Sequence, residues 1–197
     1  GERGLLIVSD GMGGELAGGQ AAGLVVNWLP DVLFDKLRAA APKTTRQIED
    51  VLKDAILELN RHIWSESLRM PTEGKMGATV VMALARGRRL HVANLGDSRA
   101  YRLSGEKLEQ LTRDHSVVST LVRRGVLTPE EAENHPMSGR LSRYLGMDGN
   151  ASADVRTIEW RPEDRLLLCS DGLTGEVADE RIRRILVPVS YTHLTLP

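Results

Sequence analysis

The chain has 197 residues, enough for one domain of ordinary size rather than two. Its 26 basic and 27 acidic residues leave a formal net charge of −1, so no basic field is available to recruit nucleic acid or an anionic membrane, and any phosphate chemistry must come from a local site. Aromatics are only 4%, which leaves Leu, Val, Ile and Ala to fill the core, and the single cysteine, Cys169, excludes an internal disulfide and a cysteine-rich zinc site.

In chain order, the apolar run at 5–8 reads as a buried strand that ends in Ser9-Asp10-Gly11-Met12-Gly13-Gly14. From Glu15 onward Ala21, Ala22, Val25, Trp28 and Leu29 recur at helical spacing. Thr44 and Gln47 are spaced as a capping box, and Ile48, Val51, Leu52, Ala55, Ile56, Leu59 and Ile63 form one stripe of a second helix. The period then changes. Residues 76–85, 89–95, 99–103 and 107–111 read as strands joined by short turns, which implies an antiparallel sheet. A helical insert follows at 116–124, with a second helix opened by Thr128-Pro129-Glu130-Glu131. Strands return at 154–160 and 165–170, and a last helix runs over about 179–186. Residues 189–197 fit neither period and read as a foreign tail. No stretch has the length of a membrane span and no signal peptide opens the chain, so the cytoplasm is the default location.

Three aspartates stand where a strand stops beside a glycine: Asp10, Asp97 and Asp171. A carboxylate at a strand end is fixed by the sheet, and an adjacent glycine lets backbone or solvent approach closely. Converging at one edge, such ends would form an all-oxygen site for Mg²⁺ or Mn²⁺, and two such ions suit an in-line phosphoryl displacement. Taken singly, each Asp-Gly pair more simply makes a turn. The glycines at 11, 13, 14, 18 and 19 could instead cradle a nucleotide phosphate, but neither G-x-x-x-x-G-K-[ST] nor the dinucleotide fingerprint is present. Of the histidines, His91 reads as structural, His62 as solvated beside polar helix neighbours, and His135 as a loop residue. Asp114 reads as a helix cap ahead of His115. Cys169, in an apolar run, reads as a small buried hydrophobe, and Ser98 and Ser170 as turn residues.

These segments resemble, in family order, the PPM family of protein phosphatase 2C-like serine/threonine phosphatases, in its bacterial branch. The matching pieces are Val8-Ser9-Asp10-Gly11-Met12-Gly13-Gly14, Gly77-Ala78-Thr79-Val80-Val81, Ala93-Asn94-Leu95-Gly96-Asp97-Ser98-Arg99-Ala100-Tyr101, Leu111-Thr112-Arg113-Asp114-His115-Ser116 and Leu168-Cys169-Ser170-Asp171-Gly172-Leu173. The resemblance implies an α+β fold: a sandwich of two antiparallel β-sheets flanked by helices, four layers in the order αββα, over residues 1–187, with a helical flap at about 114–143 and 188–197 outside it. It implies two Mn²⁺ or Mg²⁺ ions and a third, weaker one. Asp10 would bridge the first two ions and Gly11 would give a backbone carbonyl. Asp171 would serve the first and third ions, with Asp97 as partner of the third. The attacking group would be metal-bound water, and the partners phosphoproteins that are targets of a bacterial serine/threonine kinase, met by a monomer. Met12 stands where the eukaryotic branch carries a histidine. The family's upstream arginine and acidic ligand, and its closing Asp-Asn element, are not found here, so these 197 residues are expected to hold part of the centre and to be impaired. The competing classes are a non-catalytic phosphoprotein-binding pseudophosphatase and a nucleotide-binding domain.

Overall fold

Two antiparallel sheets packed face to face form the centre of the computed structural model, which describes residues 3–69, 76–149 and 151–187. The first sheet contains β1 (Arg3–Val8), β4 (Val80–Arg86), β5 (Arg89–Leu95) and β8 (Asp154–Glu159), in the order β1-β4-β5-β8. The second is β7 (Lys107–Gln110), β6 (Arg99–Ser104) and β9 (Arg165–Cys169), with β6 in the middle. A two-residue pair, β2 (Gly11–Met12) and β3 (Gly77–Ala78), branches from the first sheet, and Leu145 bridges to Ala78 on its far side. The tail at 188–197 lies outside the described residues.

Alternation explains the layering. On β4, Val80, Met82 and Leu84 join the core under the helices, while Val81 and Ala83 join the core between the sheets. A strand covered on both faces has to be apolar throughout, and each large side chain buried there stabilises the fold by about 1.5–3 kcal/mol. The helical layer is α1 (Glu15–Ala40) against α2 (Thr45–Arg69). The Thr44–Gln47 box forms, with Gln47 N–H donating to Thr44 Oγ1 (3.2 Å) and Thr44 N–H to Gln47 Oε1 (3.1 Å), and the expected apolar stripe of α2 is buried. The first helix continues through Pro30 to a left-handed Ala41 (φ 40°) whose N–H caps Leu37 O. On the opposite side α6 (Asp179–Leu186) covers the second sheet, with Ile182 buried and Asp179 accepting from the Tyr101 hydroxyl (2.9 Å). The four layers expected from the resemblance are therefore present.

Some expectations are corrected. The single strand expected over 76–85 is two, because at Thr79 the chain leaves the short β2–β3 pair and enters the main sheet. His62 is half-buried rather than solvated, its ring 4.3 Å from that of Trp28 on α1. Asp114 does not cap a helix: Ser116 caps α3 (Val117–Arg123) by accepting from Ser119 N–H, and Asp114 turns to Arg99. Thr128 and Glu131 form the capping box expected for α4 (Pro129–Glu133).

Candidate metal centre

Register brings the three aspartates to one end of the sandwich. Val8, at the end of β1, pairs with Val81, and Val80 pairs with Leu95 at the end of β5. Cys169, at the end of β9, pairs with Arg99 at the start of β6. Asp10, Asp97 and Asp171 each follow one of these strand ends, so sites distant in sequence share a rim.

Thr79 joins the first two. Its hydroxyl accepts from Asp10 N–H (3.0 Å) and lies 2.6 Å from the Ser98 hydroxyl, while its own N–H donates to Asp10 O (2.8 Å) and its carbonyl accepts from Ser9 Oγ (2.7 Å). The Asp10 and Asp97 turns are thus set by one buried side chain. Glycine is required beside each. A Cβ on Gly11 would stand 2.0 Å from Gly18 O, where α1 crosses the β2 ribbon. Gly96 has φ 116°, and a Cβ there would stand 2.7 Å from Thr79 Cβ. Asp171 is the first residue of the short helix α5 (Asp171–Thr174).

The electrostatics show three acids short of positive charge. Burial, then the charges of Asp171, Asp114 and Asp10, push Asp97 up to about 6. Asp171 is also raised, first by burial and then by the neighbouring Asp10 carboxyl. Neither Lys nor Arg pairs with any of the three among the described residues; Arg99, two residues on, is committed to Asp114 (Nη2–Oδ2 2.7 Å) and the Tyr101 hydroxyl. Among the described residues no three acidic, histidine or cysteine side chains close into a ready ligand cage. An open, carboxylate-poor rim suits a cation that keeps most of its waters, as Mg²⁺ does, better than a protein-enclosed one. The carboxyl pair Asp10–Asp171, without a cation partner of its own, fits that chemistry.

A cleft of about 740 Å³ opens beside Asp97 and Asp171, walled on one side by the insert (Ser116, Ala132, Glu133, Gly139) and on the other by residues 174–179. A larger hollow of about 860 Å³ on the β5–β8 side, lined by Lys53, Asn94 and Arg156 among others, holds none of the three aspartates. His91 is buried, with Nδ1 2.9 Å from Thr157 Oγ1, in keeping with a structural role, and Cys169 is a buried free thiol raised by that burial. Sequence reading did not single out Thr79, Arg99 or His115 as site-building residues. Their signal lay only within the matching segments, because each acts through contacts 15 to 70 residues away.

Comparison with known proteins agrees with this geometry. The family model described as Protein phosphatase 2C matches residues 1–194. The serine/threonine phosphatase stp of Listeria monocytogenes serotype 4b is 41% identical over 184 residues, covering 92% of this chain and 71% of that protein. A solved S. agalactiae serine/threonine phosphatase superposes with TM-score 0.81 at 29% identity, covering 94% of this chain and 75% of the other. The catalytic domain of the serine/threonine phosphatase PstP, solved in complex with 2 manganese ions, gives TM-score 0.72 at 33% identity, covering 94% and 74%. A match over nearly the whole chain, on the same fold and with the acidic strand ends in place, gives one result: this chain belongs to the protein phosphatase 2C family.

Proposed function

We propose that the chain hydrolyses phosphoserine and phosphothreonine esters in proteins at the Asp10–Asp97–Asp171 rim, with Asp10, Gly11 (through its carbonyl), Asp97 and Asp171 as ligands of Mn²⁺ or Mg²⁺. The carrying observation is that Asp171, which lines the cleft together with Asp97, neighbours the Asp10 carboxyl, with no Lys or Arg paired to any of the three among the described residues. Divalent ions held there would lower the pKa of a water and neutralise the charge of the phosphoryl oxygens. The chain's own part is placement. Thr79 fixes the backbone of Asp10 from both sides and, through Ser98, the turn that carries Asp97. The Gly11–Gly18 approach leaves no room for a side chain beside Asp10. Asp171, at the start of α5, completes the rim from the second sheet. The insert and residues 174–179 wall the space in which a phosphoprotein segment would lie.

On finer points, we take the substrates to be targets of a bacterial serine/threonine kinase, the working form to be a monomer, and the location to be cytoplasmic. The near-neutral charge supports this reading, and no helix among the described residues is long and apolar enough to cross a membrane. The domain boundary near 187 and the role of 114–143 as a flap belong to the same reading. Asp10→Asn keeps shape while removing the charge. In Mn²⁺ it should lower kcat/KM toward a phosphothreonine peptide by about 100-fold or more. Activity of the variant within about twofold of the parent would reject the assigned role of Asp10.

A further inference from the structure

His115 is 1% exposed, although it stands at the entrance to an insert whose helices α3 and α4 bury no residue. An insert without buried side chains on its helices gains little from apolar packing, so its attachment depends on its neck. That neck converges on His115. Its carbonyl accepts from Ser142 N–H (2.7 Å) and, more weakly, from Arg143 N–H (3.4 Å), while Ser116 bridges to Leu141 and Val117 N–H donates to Arg140 O (2.8 Å). Outgoing and returning chains are thereby joined.

The same residue takes up both backbone groups of Gly96. His115 N–H donates to Gly96 O (2.9 Å), and Gly96 N–H donates to His115 Nδ1 (3.1 Å). An accepting Nδ1 leaves the ring proton on Nε2, which faces Asp154 Oδ2 at 3.2 Å, too obliquely for a hydrogen bond. Asp154 in turn holds Arg143 Nη1 at 3.0 Å, at the return end of the neck. Gly96 precedes Asp97 directly, and its left-handed conformation against Thr79 gives the turn little freedom of its own.

We propose that His115 is a positioning residue that joins the Gly96–Asp97 turn and the neck of the 114–143 insert into one unit, so that Asp97 is held toward the cleft only while the insert is docked. The catalytic consequence rests on the phosphatase reading above; the mechanical coupling does not. In the absence of the ring, the buried Gly96 amide loses its acceptor and the turn and neck become free to move separately.

Hydrogen exchange on the full chain tests it without metal or substrate. In His115→Leu the Gly96 amide and the amides of residues 117–140 should quicken together by about tenfold or more, while those pairing β4 with β5 near the Arg89 hairpin stay as in the parent. In His115→Asn, which places an oxygen near the position of Nδ1, Gly96 should regain protection. In His115→Gln, whose amide reaches toward the place of Nε2, it should not. Equal Gly96 protection in the Asn and Gln variants overturns the proposal, and that comparison decides the matter should the leucine variant fail to fold. Quickening of 117–140 with Gly96 unchanged overturns it as well. In Mn²⁺, His115→Leu should lower kcat toward both a phosphothreonine peptide and a small aryl phosphate, raise KM for the peptide alone, and be rescued by Asn. A merely structural loss would lower the apparent kcat toward both substrates in proportion to the folded fraction and leave KM for the peptide unchanged. A parent chain without turnover would bear on the phosphatase reading and the impairment expected of it, and not on the coupling, which exchange alone then decides.

Discussion

Asp97, pushed up to about 6 by burial and by three neighbouring acids, holds its proton more tightly in the folded, metal-free chain than a free aspartate does. Its folded value lies above the unfolded one, so its contribution to stability is fully present below about pH 4 and is lost as pH rises through about 6. Removing the charge should therefore help the apo protein at neutral pH. Asp97→Asn is expected to stabilise the metal-free chain by about 1–2 kcal/mol at pH 7.5, after allowance for solvent screening, and to be neutral at about pH 4. The same variant should gain less in Tm from added Mn²⁺ than the parent does. Thermal scans at the two pH values check both points, and an apo Asp97→Asn less stable than its parent at pH 7.5 would contradict them. The three aspartates were legible in the sequence because each interrupts an apolar strand run with an acid and a glycine, a local pattern. Thr79 was not, since an isolated threonine in a strand gives no sign that its hydroxyl spans two turns. Asp114 misled for the opposite reason: its position just before a helix suggested a cap, whereas its partner, Arg99, approaches from the neighbouring strand.

Among the elements, the crossing of α1 over the β2 ribbon explains the glycine-rich stretch that could have suggested a phosphate cradle. Gly13 and Gly14 adopt positive φ (107° and 87°) to turn the chain into the helix, and Gly18 lets the helix backbone touch Gly11. A Cβ on Gly18 would stand 2.9 Å from Gly11 C, whereas one on Gly19 meets nothing within 4 Å. Adjacent substitutions should therefore differ in sign. Gly18→Ala is expected to destabilise by about 1–3 kcal/mol through the displaced crossing, and Gly19→Ala to stabilise by up to about 1 kcal/mol through helix propensity. Urea unfolding of the two variants compares them directly, and similar midpoints would show that the close approach is not rigid. Helices α1, α2, α3, α4 and α6 were legible from their spacing, with the capping boxes marking the starts of α2 and α4. The two-residue strands β2 and β3 carry no period at all, and only pairing with Leu145 and with each other defines them. Asp171 also opens helix α5, only four residues long and hidden from periodicity for the same reason.

Across the whole molecule, the layers are joined by buried polar side chains as well as by apolar packing, and these set its response to acid. Asn60 on α2 accepts from Gly146 N–H (2.7 Å) and donates to Met147 O (3.2 Å), fastening the chain that returns from the insert. His91 on β5 meets Thr157 on β8, whose hydroxyl donates to Glu49 on α2 (2.6 Å), so three elements share one chain of hydrogen bonds. Thr157 gives its proton to Glu49 and therefore accepts from His91 Nδ1, and His91 Nε2, buried, has no partner among the described residues. Protonation there would bury an unpaired cation, and burial accordingly holds His91 below its usual value, as it does His115. A depressed histidine contributes stability above its unfolded value of about 6.5 that is lost as pH falls below it, because the unfolded chain binds the proton more readily. The raised Asp97 acts in the opposite direction over the lower part of the same range, and the raised Asp171 has the same sign as Asp97. Replacing His91 by Gln removes one of the two histidine contributions while keeping a polar group toward Thr157. The fall in Tm of the metal-free chain between pH 7 and pH 5 should therefore be shallower in His91→Gln than in the parent, and an unchanged slope would place the acid sensitivity elsewhere than in this inter-layer histidine.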